Sequence, residues 1–291
     1  MTAPRIFDPE LLNEHRTRAA PDAAAHDFLL AHVADDLCDR LGIITRDFPA
    51  ALNLGAHNGL LSQRLIGANG IQTITSYDPC AALLAFCPDP KHQGSLETLP
   101  FDQNTFDLVF SGLSLQWVND LPGTLIQTCR SLKPDGLFLA ALLGGGTLTE
   151  LRQSWLAAET EISGGASPRV APFADVRDLG NLVQRAGFAL PVVDSNILNV
   201  TYADPIALMR EIKAMGASNM LTDRRPVPVS RSLLFRAAEI YAERFAQPDG
   251  RIPATFEILT VTAWKPSPNQ PKPLKPGSAQ VSLADVLKPK N

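Results

Sequence analysis

Cysteine is scarce in this chain: Cys38, Cys80, Cys87 and Cys129 are the only four in 291 residues. They form no CxxC pair and no regular framework, which argues against a disulfide scaffold or a zinc site and fits buried thiols in a reducing compartment. The five histidines show no HxxxH or HxD spacing, and no 2-His-1-carboxylate pattern is legible, so no metal is expected. Long apolar runs are missing too. The longest, Leu137 to Leu143, is far too short to span a bilayer, and the N-terminus, with Pro4, Asp8 and Glu10, has no apolar signal core. A soluble cytoplasmic protein with no integral membrane segment is the expectation. The formal net charge of −4 is uneven: five lysines against one aspartate after Trp264 give +4, so the preceding body carries −8 (−4 minus +4). An acidic body argues against nucleic acid as a partner.

What is present is enough apolar material, 45% of the residues, to bury a full α/β core. Residues 1–43 read as an N-terminal helical segment: a short, charged helix over Pro9 to Ala20, readable as a mobile lid or an arm, and an amphipathic helix from Asp22 to Ile43 with Phe28, Leu29, Val33, Leu37 and Leu41 at helical spacing. Residues 44–264 alternate strand-like runs with helical stretches. Strands are expected at Ala50–Leu54, Ile71–Tyr77, weakly near His92, at Phe106–Ser111 and at Leu137–Leu142, with helices from Gly59, Cys80 and Leu121, a pattern that implies parallel strands with crossover helices. The Leu137 strand is apolar on every residue and belongs inside the sheet. Beyond it, GGGT at Gly144 to Thr147 precedes a helix through Leu151, Trp155 and Ile162, and the loop SGGASPRVAPF is long enough to cover a cleft. Helices over Asp175–Ala186, Ile206–Met215 and Leu233–Phe245 are interleaved with strands Phe188–Val200 and Ala254–Trp264, which should pair antiparallel. Residues 265–291, rich in proline and lysine, read as a flexible tail whose last apolar residues, Val281, Leu283, Val286 and Leu287, either dock or stay disordered.

The most informative stretch is ALNLGAHNGL, Ala51 to Leu60, where an apolar run stops at a glycine loop and a helical pattern follows. A strand delivers a nucleotide cofactor to a helix N-terminus in this way, and Asp78, ending the next apolar run, is a carboxylate suited to two ribose hydroxyls. The loop is imperfect. It reads Gly55-Ala56-His57-Asn58-Gly59, and a plain tight turn between strand and helix stays open beside the cofactor reading. Gln116, Trp117 and Asn119 follow the fourth strand at the edge where such crevices open, with packing the competing role for Trp117. Arg152, Arg169 and Phe173 lie in or beside the covering segment and are candidates for an acidic acceptor or a protein partner. Glu150 and Glu159 are candidates for an amine or guanidinium, against the ordinary role of exposed helix charges.

On these motifs the chain resembles the class I S-adenosylmethionine-dependent methyltransferases, and TFDLVFSGLSLQWVNDLPGTL followed by LKPDGLF is similar to the type 11 group. Within that group it most resembles the mitochondrial complex I assembly factor 5 family and its bacterial relatives. IFDPELL, GGGTLTELRQSWLAAET, GGASPRVAPFADVRDLGNLVQRAGF, MGASN, DGRIPATFEI and GSAQVSL carry the likeness along nearly the whole chain. The resemblance implies a seven-stranded, mostly parallel, doubly wound α/β sheet of Rossmann-like form, S-adenosyl-L-methionine as cofactor, and cofactor contacts at Asn53, Gly55, His57, Gly59, Asp78, Ser95 and Ser111. Three of these depart from the family pattern. Asn53 stands where an aspartate is usual, His57 where the middle glycine is, and Ser95 where many members have an aspartate near the adenine. Losing the charge at Asn53 should weaken affinity by about tenfold. If the His57 ring points outward the site survives; if inward, it fills the methionine or ribose space.

Methyl transfer needs alignment and exclusion of water rather than an acid–base pair, so the lack of a visible catalytic pair does not count against it, and no catalytic residue is assigned. The resemblance implies a protein-modifying role in respiratory complex I assembly, arginine hydroxylation on an iron–sulfur subunit. Two alternatives stand beside it: methylation of a small or carrier-bound carboxylic acid, and a noncatalytic assembly module with an eroded loop. The oligomeric state is not legible.

Overall fold

The computed structural model describes residues 5–270. Among them, seven strands form one sheet in the order β3-β2-β1-β4-β5-β7-β6: β1 (Ala50–Leu54), β2 (Thr73–Asp78), β3 (Lys91–Gln93), β4 (Phe106–Gly112), β5 (Leu132–Leu143), β6 (Ala189–Tyr202) and β7 (Ile252–Trp264). Strands β1 to β5 are parallel, and β7 runs antiparallel to both β5 and β6. The expected doubly wound sheet and its antiparallel closing pair are therefore present. Chain order reverses between β1 and β4, so a crevice opens at the carboxyl ends of these two strands.

Alternation along the strands decides which helices cover which face. In β5, Leu137, Leu139 and Ala141 join one apolar layer while Phe138, Ala140 and Leu142 join the other, as side chains pointing to opposite faces of a strand must. The first layer receives α2 (Phe28–Gly42), α3 (Leu60–Leu65), α6 (Thr149–Ser163), α8 (Pro205–Ala214) and α9 (Arg231–Phe245); the second receives α5 (Leu121–Ser131) and α7 (Val176–Arg185). Both faces being covered explains why β5 lacks polar residues after its opening turn.

Three details differ from the sequence reading. The helix expected from Asp22 starts at Phe28: Ala20–Ala25 is a separate 3-10 turn, and His26 at φ −127° breaks the helical path before Asp27 at the N-cap. The helices after Gly59 and Cys80 are brief, α3 having six residues and α4 (Ala81–Leu84) four, the latter cut short between Pro79 and Pro88. Lys265 is held by the body, its Nζ donating to Asn104 Oδ1 and to the carbonyls of Arg130 and Leu132 at 2.8, 3.0 and 2.6 Å. The apolar residues from Val281 to Leu287 lie outside the described residues.

The N-terminal helix α1 (Pro9–Ala19), capped by the Asp8 side chain on Leu11 N, lies over the carboxyl edge of the sheet. Its lead-in is stitched down from both sides. Asn119 Oδ1 accepts from the backbone N–H groups of Ile6 and Phe7, both at 2.8 Å, and Asp8 N donates to Met220 O at 2.9 Å. Its far side meets α4, where Ala20, Ala23, Cys80 and Leu83 make a small apolar cluster.

Candidate functional site

The floor of the site is built by the ends of β1, β2 and β4. Gly55 and Gly59 take φ of +74° and +79°, and His57 between them takes +53°, a backbone path that glycine follows without strain. Gly55 has a second reason to be glycine, because a Cβ there would sit 2.2 Å from Ser114 Cβ. Ser114 Oγ donates to Gly55 O at 2.9 Å and Ser111 Oγ to Leu54 O at 2.6 Å, so the end of β4 and the turn after it clamp the loop. Asp78, fully buried at the end of β2, accepts from His57 N at 2.9 Å and Cys80 N at 2.7 Å. Burial pushes its carboxyl up, while the positive charge of Arg16 and these two amides pull it back.

Over this floor lies a cavity of about 160 Å³. Its roof comes from α1, the 3-10 turn, the start of α2, the loop around Arg169 to Phe173, and the segment from Met215 to Leu221. The wall is mainly apolar, through Leu29, Leu30, Leu143, Leu151, Ile212 and Phe256. Its polar groups are few: Arg16, His26, Asp27, His57, Gln116, Arg169 and Asn219.

Of the residues singled out in the sequence, His57, Gln116, Trp117, Arg169 and Phe173 meet on this wall. The His57 Nδ1 is enclosed without a partner. Burial, and then the charge of Arg16, lower its pKa to about 3, so the imidazole is neutral at physiological pH. Gln116 donates from Nε2 to Leu113 O at 2.8 Å and leaves Oε1 enclosed and unpartnered. Trp117 is wedged edge-on between Phe7 and Phe173, with centroid distances of 5.7 and 5.4 Å. Arg169 gives Nε and Nη2 to Oε1 of the fully buried Glu159, at 2.9 and 2.5 Å, and lies 5.1 Å over the Trp155 ring. Glu159 also accepts from Ser167 N, which ties the covering loop to α6.

Other residues lie off the wall. Asn53, buried within β1, donates from Nδ2 to Ser62 Oγ at 2.8 Å and leaves Oδ1 unpartnered. Ser95 is exposed, and its Oγ accepts from Glu97 N at 3.2 Å. Arg152 spends its guanidinium on the carbonyls of Gly145 and Thr147. Glu150 holds Thr255 of β7 through Oγ1 and N. The sequence reading missed Arg16, His26 and Asp27: Arg16 lay in the segment considered as a lid, and the other two in the stretch read as an amphipathic helix. Among the described residues, no group of three or more His, Cys, Asp or Glu side chains comes together as a metal site.

These features fit a nucleoside cofactor bearing a sulfonium. His57 and Gln116 line the cavity, each with one enclosed polar atom, Nδ1 and Oε1, that has no partner, and the imidazole carries no charge to repel a cation. The ring of His57 forms part of a wall around open volume instead of filling it.

A seven-stranded sheet of this order, with its crevice at the β1/β4 switch point and a buried acid ending β2, defines the class I methyltransferase fold. Solved structures agree: a methyltransferase of Bacillus halodurans superposes with a TM-score of 0.55 at 14% identity, over 80% of this chain and 100% of that one. The methyltransferase domain family matches residues 52–140. The mouse protein "Arginine-hydroxylase NDUFAF5, mitochondrial" is 42% identical over 99% of this chain and 86% of its own length. The malonyl-[acyl-carrier protein] O-methyltransferase of Halorhodospira halophila is 34% identical over 88% of this chain and 90% of its own. The chain belongs to the class I S-adenosylmethionine-dependent methyltransferase family, in the branch of the NDUFAF5 arginine-hydroxylases.

Proposed function

We propose that this protein binds S-adenosylmethionine and modifies an arginine side chain of a protein client, an iron–sulfur subunit of respiratory complex I, during assembly of that complex. The observation that carries the reading is the cavity wall. It combines an apolar trench with the Trp117–Phe173 aromatic pair, which suits the methylene stem and planar guanidinium of an arginine. The likeness to NDUFAF5 along 99% of the chain supports the arginine as target. The competing reading, methylation of a carrier-bound carboxylic acid, would place the acid beside Arg169, which is already engaged by Glu159.

When bound, S-adenosylmethionine supplies an electrophilic sulfonium. On the protein side, Asp78 would hold the glycine loop in place through His57 N, that loop would seat the adenosine, and the roof would exclude water. Hydroxylation inserts one oxygen atom into the arginine and withdraws two electrons from it, so an oxidant of the dioxygen class and a reductant for its second oxygen atom must be delivered with the client. The four free thiols, Cys38, Cys80, Cys87 and Cys129, support action in a reducing compartment, the cytoplasm.

The test is the mass of the client's peptides from cells with and without this protein. An arginine peptide heavier by one oxygen atom only when the protein is present is the expected result. A methyl group instead redirects the reading to methyl transfer, and an unchanged peptide map discards the arginine.

A further inference from the structure

The segment 222–230 joins the cavity wall to α9 and stays in solvent although it is tied down at both ends. Leu221, just before it, lines the cavity and bridges Phe7. Thr222 donates from N to Ile6 O at 3.0 Å and from Oγ1 to Arg5 O at 2.7 Å, while Arg225 N donates to Ser167 Oγ at 3.2 Å. Ser230 Oγ caps α9 by accepting from Leu233 N at 3.2 Å. Between these ties runs Pro226-Val227-Pro228-Val229, exposed at every residue, with Val227 at 63%. Phe235, one turn into α9, is exposed as well. Each proline fixes φ and removes a donor, so the arm is pre-ordered and presents its valines at little entropic cost. Its charge stands out too. Residues 222–231 hold three arginines against one aspartate, +2 (3 minus 1), although the chain up to Trp264 totals −8. Arg224 pairs with Asp8, but Arg225 and Arg231 are exposed and pair with no acid among the described residues.

We infer that this arm is the docking surface for the protein client, which meets it with carboxylates set around an apolar patch. The inference rests on reading the substrate as a protein. Position supports it: the six residues from Leu221 to Val227 span at most about 20 Å, so a partner seated on the valines lies beside the roof through which its side chain must enter. Sign supports it as well. A basic, apolar island on an acidic body steers toward itself a partner of opposite charge. Because Thr222 holds the lead-in to α1 and Arg225 holds the covering loop, a client gripping the arm bears on two stretches of the roof at once. A lipid surface fits less well, since the arm is not the amphipathic helix that interfacial binding uses.

The test measures binding of the whole protein to each iron–sulfur subunit of complex I in turn, by interferometry at low and high salt. The wild type should bind one of them, more weakly as salt rises. The double variant Arg225→Glu, Arg231→Glu should lose about tenfold or more at low salt and approach the wild type at high salt. Val227→Asp should lose about tenfold at either salt, because it places a charge where an apolar contact forms. Melting temperatures within about 2 °C of the wild type show that these surface variants fold. Variants that bind the subunit as the wild type does overturn the inference and leave the protein-client reading standing. Loss of binding to phosphatidylglycerol vesicles, with affinity for the subunit intact, assigns the arm to a membrane and also overturns it. If the wild type binds none of the subunits, the client reading fails and takes the inference with it.

Discussion

The floor and the roof of the cavity are built on different principles. The floor is made from strand ends and tight loops of one contiguous stretch, Leu54 to Trp117, and its polar groups are neutral or satisfied by backbone: Ser111 and Ser114 bond carbonyls, Asp78 bonds amides, and His57 is uncharged. The roof is assembled from three stretches far apart in the chain, α1 through the head of α2, the loop to Phe173 and the segment to Leu221, and it holds the charged side chains Arg16, Asp27 and Arg169. A rigid, neutral floor beneath a charged, many-piece roof implies that the sheet fixes where a ligand lies while the roof decides whether it stays.

The largest effect should come from cutting the roof's internal anchor. Glu159→Ala removes the acid that pairs with Arg169 and the acceptor of Ser167 N, which leaves a largely enclosed guanidinium without that partner. Breaking such a pair costs about 3–5 kcal/mol. Denaturant unfolding should show that loss, and limited proteolysis should cut between residues 163 and 174 before any cut elsewhere. A variant as stable as the wild type would mean that the roof does not depend on this pair.

The matching attack on the floor is Gly55→Ala. The added methyl meets Ser114 Cβ at 2.2 Å and sits on a backbone at φ +74°. Left-handed strain and overpacking together come to about 2–4 kcal/mol, so the melting temperature should drop by roughly 5–15 °C. If instead Gly55→Ala is tolerated, the floor is not the rigid element that its close packing implies.

The floor's neutrality has a pH signature. His57 titrates at about 3 in the folded chain against 6.5 unfolded. As pH falls below 6.5 the unfolded chain takes up this proton first, so stability declines down to the folded pKa, by about 1 kcal/mol per pH unit. His57→Asn keeps a residue that tolerates positive φ and removes the titration. Its stability between about pH 6.5 and pH 4.5 should therefore fall less steeply than that of the wild type in urea titrations. Parallel slopes for the two would show that the imidazole is not held neutral.

The same contrast explains what the sequence made readable. The floor follows a local grammar of strand, glycine loop, helix and acid-ended strand, and the sheet, its antiparallel closing pair and the apolar run of β5 after Gly136 all follow from periodicity. The roof has no local grammar. Arg16 and Arg18 look alike in sequence as last-turn charges of one helix, yet Arg18 pairs in solvent with Glu14 while Arg16 is buried in the cavity. Only docking of α1 against α4 and the 219–222 segment separates them, and that docking depends on residues far apart in the chain, such as the bridge between Phe7 and Leu221. Ser95 and Ser111 illustrate the reverse case: a family position points to cofactor contact, while the local hydrogen bonds use one as a turn cap and the other as a strand clamp.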